Sequence, residues 1–257
     1  MSIVADNISL HLAGFDLLRT IDLSVEAGQV TVLVGPNGAG KSSLLKVLTG
    51  ELNPSQGSVY LNQLELSQWD IQQKANVLAV LPQHSELNFP FTAAEVVGLG
   101  CIPHTTGYAV DQKIITEALE TVDASYLQRR LYTQMSGGER QRVQLARVLA
   151  QVWSPSDLGE QFLVLDEPTA AFDLAHQQMI LDIVRQFAAR GVGVLMVLHD
   201  LNLAARCADN LVVVNDGMIE AFGSPAQVLT EHLVEKVFAV KATITRHPVA
   251  DTPLVIT

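Results

Sequence analysis

Residues 35–42 read GPNGAGKS and satisfy the phosphate-loop pattern GxxxxGK[ST]. Gly35, Gly38 and Gly40 permit backbone angles that other residues resist. The loop amides around Pro36, Asn37 and Ala39 can therefore turn inward toward phosphate oxygens. Lys41 is placed to reach β- and γ-phosphates, the Ser42 hydroxyl to ligate Mg²⁺, a hard cation that prefers oxygen, and Ser43 to add a hydroxyl to the cradle. The chemistry on offer is the handling of a nucleoside triphosphate.

Such a loop works only between a strand and a helix, and the flanks supply both. Residues 30–34 (VTVLV) are apolar and β-branched, as a buried strand requires. Residues 43–49 (SLLKVLT) read as a helix that Gly50 is placed to end. That helix turns its positive N-terminal end on the loop.

Further groups belong with a bound triphosphate. At 162–167 (FLVLDE) four apolar residues precede two carboxylates. On a buried strand Asp166 emerges beside the phosphate loop, suited to hold Mg²⁺, and Glu167 is suited to orient and activate an attacking water. Read alone, a strand ending in Asp-Glu before Pro168 is a common surface turn; behind a phosphate loop it is a catalytic candidate. At 136–142 (SGGERQR) Ser136 is a good N-cap, Gly137 and Gly138 allow close backbone approach, and Val143, Ala146 and Ala150 line one face of the following helix. This predicts a second anion site at a helix N-terminus.

At this segment the chain resembles the ATP-binding cassettes of ABC transporters, whose signature is LSGGQ-like where this chain has MSGGE. The likeness spans residues 1 to about 225. It implies a P-loop NTPase of the α/β class: a RecA-like core with a mostly parallel sheet, an N-terminal antiparallel β part and an inserted helical subdomain. It implies ATP and Mg²⁺ as ligands. It implies a homodimer in which Ser136, Gly137 and Gly138 of one subunit close on the γ-phosphate held by Lys41 of the other. Gln83 matches the Q-loop glutamine that contacts Mg²⁺ and senses the permease. Asp173, in Ala170-Ala171-Phe172-Asp173, matches the D-loop aspartate, although the residues before it do not match. His199 matches the switch histidine that touches the γ-phosphate; a lone histidine at a strand end is otherwise usually structural. The family often stacks an aromatic ring on adenine. Here Leu12 stands at that point, which leaves an apolar contact or Phe15 for the base.

Residues 88–92 and 95–97 with Gly100 resemble the iron-chelate and vitamin B12 importer group of these cassettes, and segments 144–151, 199–205 and 246–248 are most similar to its hemin import members. That resemblance implies an ATPase that energises heme import with two permease subunits, and indirectly with a periplasmic heme-binding protein, at the cytoplasmic face of the inner membrane. A ferric-siderophore or vitamin B12 importer is the nearest alternative, and a soluble cassette outside transport the next. His247, which could suggest a heme ligand, reads as an exposed tail histidine.

Composition sets the limits. The chain has 257 residues, 48% hydrophobic and 17% charged, enough for one large α/β domain. A net charge of −11 argues against nucleic-acid binding. Cys101 and Cys207 lack a metal or redox spacing and read as core thiols. No charged start precedes an apolar block, and no apolar stretch approaches the ~20 residues of a membrane span, so the sequence predicts a soluble chain that reaches the membrane through a partner. The organisation expected is a core at 1–83 and 151–225, a helical insert at 84–150 and a tail at 226–257, with short strands before residue 29, a strand at 77–81 and helices around 93–100, 113–122 and 139–150.

Overall fold

The structure is a computed structural model that describes residues 1–83, 87–104, 106–170 and 172–257. The chain opens with β1 (Ser2–Leu12) and β2 (Phe15–Glu26), turning at Ala13 and Gly14, whose φ angles are 52° and 86°. These strands of 11 and 12 residues are longer than the short strands expected. The buried apolar residues, such as Ile21, Leu23 and Val25, alternate with largely polar outward positions, so the rest of each strand carries little signal. Then come β3 (Val30–Val34) and α1 (Lys41–Leu48), with the phosphate loop between them. β4 (Gln56–Leu61) pairs antiparallel with β1, and β5 (Leu64–Glu65) with β4, giving the sheet order β2-β1-β4-β5.

The helix α2 (Ile71–Val77), capped by Asp70, runs straight into β6 (Leu78–Leu81). The strand expected to start at Val77 starts one residue later. Val77 closes the helix, and Leu78 takes the extended angles −135° and 107°. No turn residue separates the two, so an apolar run could not reveal the change of period. The chain then leaves the sheet through α3 (Ala93–Gly98), α4 (Tyr108–Thr121) and α5 (Gly137–Gln151), which pack on one another. α3 stops short of Gly100, continuing only as a tight turn to Cys101, and α4 begins well before Lys113.

It returns as β7 (Phe162–Asp166), α6 (Leu174–Ala189), β8 (Gly193–Val197), α7 (Leu201–Cys207), β9 (Asn210–Asn215) and β10 (Met218–Gly223). The second sheet has six strands in the order β10-β9-β3-β8-β7-β6, parallel from β9 to β6, with β10 antiparallel at the edge. Its parallel strands are buried on both faces and alternate between two cores, while the edge strand β10 is exposed or half-buried throughout. Val30, Val32, Leu163, Leu165, Val194 and Met196 face the helical side; Leu33, Phe162, Val164, Leu195 and Val197 face α1 and the antiparallel sheet. This period of two on a continuously apolar run is the mark of a parallel sheet covered on both sides. Each such side chain contributes about 1.5–3 kcal/mol of burial.

The tail is structured. After α8 (Pro225–Val228) and α9 (Glu231–Phe238), β11 (Thr243–Arg246) and β12 (Pro253–Ile256) form a hairpin whose second strand lies on α7. Asn202 pairs with the Val255 backbone twice, donating to its carbonyl at 3.1 Å and accepting from its N–H at 2.7 Å. His247, expected as an exposed tail residue, is half-buried. Its Nδ1 accepts from the N–H groups of Val249 and Ala250 and so closes the hairpin turn.

Candidate active site

Three strand ends meet at the carboxyl edge of the parallel sheet, where this class of fold places ligands. β3 delivers the phosphate loop, β7 delivers Asp166 and Glu167, and β8 delivers His199 after Leu198, whose N–H donates to the Leu33 carbonyl at 3.1 Å. Gln83 joins them from the end of β6.

The loop is built on positive φ angles: 154° at Gly35, 77° at Gly38 and 103° at Gly40. At Gly35 a Cβ would stand 2.1 Å from the Val214 carbonyl oxygen, and at Gly40 one would stand 2.8 Å from that of Leu17. Glycine is therefore required at both ends by angle and by space. Ala39 is buried and its carbonyl accepts from Gly217 N–H at 3.0 Å, while Asn37 and Gly38 crown the loop in solvent. The helix α1 has no side-chain cap and no acidic residue in its first turn. Its leading N–H groups are thus left for an incoming anion. Lys41 is buried and donates from Nζ to the carbonyls of Gly35 and Pro36, each at 2.8 Å. Burial pulls its ammonium below the usual lysine range, opposed by the carboxylates of Glu167 and Asp166. Ser42 and Ser43 are half-buried at the start of the helix.

Asp166 is held above the ordinary carboxylate range by burial first and by the neighbouring Glu167 charge second, with a hydrogen bond from Ser42 and the Lys41 charge pulling the other way. Its Oδ1 is buried and has no hydrogen-bond partner. An orphaned carboxylate oxygen beside a serine hydroxyl is the donor set a hard divalent cation takes, so the residues fit Mg²⁺. Glu167 sits at φ 51°, a left-handed angle that turns its side chain out of the strand direction. Its Oε2 accepts from Gln83 Nε2 at 2.8 Å, and its Oε1 lies 2.5 Å from His199 Nε2. Since an ionised carboxylate only accepts, His199 Nε2 is the donor. The three catalytic candidates thus form one group. A cavity of about 150 Å³ lies beside them, lined by Glu167, Thr169, Ala170, Gln177, Leu198 and His199, with ample room for water.

Ser136, Gly137 and Gly138 are not part of this group. They begin α5, which packs on α3, α4 and β6. Ser136 and Gly137 face solvent. The helix end expected to receive an anion already holds one. Glu139 Oε2 accepts from Ser136 N–H at 2.8 Å, while Ser136 Oγ accepts from Glu139 N–H at 3.4 Å. Glu139 is held below the usual range by that backbone hydrogen bond, and Arg130 donates to its other oxygen at 2.9 Å. The Ser-x-x-Glu spacing that announces this capping box stood in the sequence. Asp173 is exposed at the N-cap of α6, accepting from His176 N–H at 3.0 Å. Ala171, expected in the same D-loop, lies outside the described residues. Leu12 and Phe15 are register partners at the tip of the β1–β2 hairpin, 50% and 70% exposed. Both keep an apolar surface open to a base.

Sequence reasoning missed the supports. Gln141 donates to the Pro168 carbonyl at 3.1 Å, and Arg142 is buried between Tyr126 and His176. Only Asp-x-x-His at 173–176, a helix-start spacing, hinted at the second contact.

The sequence profile of the ABC transporter family matches residues 18–170. The chain is 47% identical over 252 residues to the hemin import ATP-binding protein HmuV of Pseudomonas entomophila, covering 98% of both chains. It is 47% identical over 257 residues to the protein of the same name from Photobacterium profundum, covering 100% of this chain and 91% of that one. Among solved structures, the fold matches a metal-chelate type ABC transporter in an inward-facing conformation with a TM-score of 0.79 at 22% identity, covering 99% of this chain and 96% of that chain. It also matches a dimeric ATP-binding cassette in a post-hydrolysis state bound to ADP and Pi with a TM-score of 0.77 at 24% identity, covering 87% and 98%.

Proposed function

Because the chain belongs to the ABC transporter family and is one of its ATPase cassettes, we propose that it hydrolyses ATP to energise the import of heme through a separate membrane permease. The observation that carries the hydrolytic role is the Glu167 carboxylate held between Gln83 and His199 beside Lys41. Near-full-length identity to hemin import relatives carries the substrate.

The residues act in order. Phosphate oxygens displace the Gly35 and Pro36 carbonyls from Lys41, whose ammonium then spans the β- and γ-phosphates while the uncapped start of α1 supplies N–H donors. Ser42, Asp166 and Gln83 would hold Mg²⁺, which would neutralise charge on the phosphate oxygens. Before nucleotide binds, Gln83 and His199 hold the two Glu167 oxygens; with ATP in place His199 turns its donor to the γ-phosphate, and the Glu167 oxygen it releases takes a proton from the attacking water.

Two copies arranged head to tail complete the site. Ser136, Gly137 and Gly138 of one close on the γ-phosphate held by Lys41 of the other, with Asp173 beside them. Closure lasts only while that phosphate is present, so hydrolysis opens the dimer. Among the described residues no helix is long and apolar enough to cross a membrane. Access to the membrane then comes through the permease at the cytoplasmic face of the inner membrane, with the periplasmic heme-binding protein acting through it. Exposed Phe89, ahead of α3, and Ile102 and Tyr108, at the α3–α4 connection, offer apolar surface for a permease helix.

The test is ATPase activity of the chain assembled with its permease in lipid, with binding protein, comparing heme, vitamin B12 and a ferric siderophore. Stimulation by heme alone is expected. Stimulation by another ligand would leave the mechanism standing and remove the heme assignment.

A further inference from the structure

Arg142 is 7% exposed, and its Nε has no partner. A buried guanidinium is costly unless its donors are used. Its Nη2 donates to Tyr126 Oη at 2.6 Å, and its Nη1 lies 3.1 Å from His176 Nε2. Arginine has only donors, so Nε2 must accept. The imidazole is then neutral with its proton on Nδ1, which donates to Asp173 Oδ1 at 2.8 Å. From Tyr126 the chain of bonds continues to Glu139, whose Oε2 accepts from Ser136 N–H. A second tie runs in parallel: Gln141 grips the Pro168 carbonyl, and the Phe172 ring stacks on His176 with centroids 5.7 Å apart and approaches Gly138.

We propose that His176 and Arg142 are positioning residues that lock the Asp173 turn to the first turn of α5, so that the elements one subunit presents to its partner's nucleotide move as one rigid piece. His176 does this only as the Nδ1–H tautomer, donating to the turn and accepting from the helix. Neither residue touches nucleotide; both act through Asp173, Ser136 and Gly138. The inference rests on the two-subunit reading above.

Two substitutions separate the halves of the bridge. His176→Asn places an amide near Nδ1 and keeps the Asp173 side; His176→Gln reaches Nε2 and keeps the Arg142 side. In a Glu167→Gln background with ATP and Mg²⁺, light scattering gives the protein concentration at which the dimer half-forms, and a fluorescent ATP analogue gives affinity for the single chain. Each His176 variant should raise the half-dimer concentration about tenfold, the loss of one hydrogen bond to a charged group, and, made singly in the chain that keeps Glu167, should lower kcat similarly. Affinity of the single chain for the analogue should stay within about twofold of wild type, since Lys41 and its loop are untouched. Imidazole ¹⁵N spectra of the wild type should show the Nδ1–H tautomer at His176. Wild-type dimerisation in both variants, or an Nε2–H imidazole, overturns the inference. If the Glu167→Gln chain binds the analogue but never dimerises on ATP, the two-subunit reading itself is overturned and this inference goes with it.

Discussion

Replacing Glu167 by Gln removes one proton acceptor and changes almost nothing else. The side chains match in size, and the residue keeps an oxygen that can accept from either Gln83 or His199, so its left-handed backbone turn at φ 51° stays supported. What disappears is the charge that makes the 2.5 Å contact to His199 strong and the basicity that takes the proton of water. General base catalysis contributes about 10²–10⁴ in rate, so kcat should fall at least about a hundredfold, or roughly 2.7 kcal/mol in the barrier. His199 is about half exposed, with a side chain 47% accessible, so solvent can replace the lost hydrogen bond and folding stability should hardly move. Binding should survive, because Lys41, Ser42 and the start of α1 lie outside the substitution. Phosphate release at saturating ATP measures the first quantity, and titration with a fluorescent ATP analogue the second. A variant that retains a fifth of wild-type turnover would refute Glu167 as the base. One that loses nucleotide affinity along with turnover would show that the carboxylate shapes the binding site instead.

Gly35→Ala should abolish nucleotide binding and lower thermal stability, since its Cβ would meet the Val214 carbonyl at 2.1 Å; a variant that melts and binds like wild type would contradict the packing of the loop. Glu139 titrates below its ordinary 4.5 in the folded chain, because Ser136 N–H bonds its ionised form. Its contribution is therefore complete above pH 4.5 and drains away as pH falls through the depressed value. Glu139→Gln should accordingly flatten the acid limb of stability against pH while lowering stability slightly near neutrality, where the ionised acceptor of Ser136 N–H is lost. Denaturation midpoints from pH 3 to 7 decide it, parallel curves counting against the cap. Asn202→Ala strands the Val255 N–H and carbonyl together, which should cost about 1–3 kcal/mol at the tail. Hydrogen exchange at residues 250–257 should then speed up about ten- to a hundredfold while the β3–β8 ladder stays protected; unchanged exchange would mean the hairpin is held by its apolar face alone.

What the sequence discloses and what it hides follow the range of the forces involved. The phosphate loop is legible because its requirements are local: glycines at forced angles, a β-branched run before, a periodic run after. Glu167 and His199 are legible as strand ends, yet nothing local says that Gln83, 84 residues away in the chain, donates to the same carboxylate. That meeting is a matter of strand order, with β6 beside β7 and β7 beside β8. The tail hairpin stayed hidden for another reason. β11 and β12 have four residues each and only Val255 among them is fully buried, so no alternation stands out, and the side chain that docks them, Asn202, lies in α7.

The N-termini of α1 and α5 sharpen the one expectation that sequence stated too broadly. Both follow glycine-rich segments, and both read as anion sites. α1 begins at Gly40 without a cap or an acidic residue, so its leading donors are open. α5 begins inside a complete capping box, with Ser136 N–H and Glu139 N–H already engaged. An α-helix leaves its first donors without intrahelical partners. At α5, therefore, what remains for a γ-phosphate is the Ser136 hydroxyl proton and the N–H groups of Gly137 and Gly138. The Glu139 charge beside them is partly offset by Arg130 at 2.9 Å. The consequence is an asymmetry in strength. In the proposed two-subunit cycle, α1 would hold nucleotide on its own, whereas α5 would add a contact weak enough to be lost when hydrolysis frees the phosphate, and an opening dimer needs that difference.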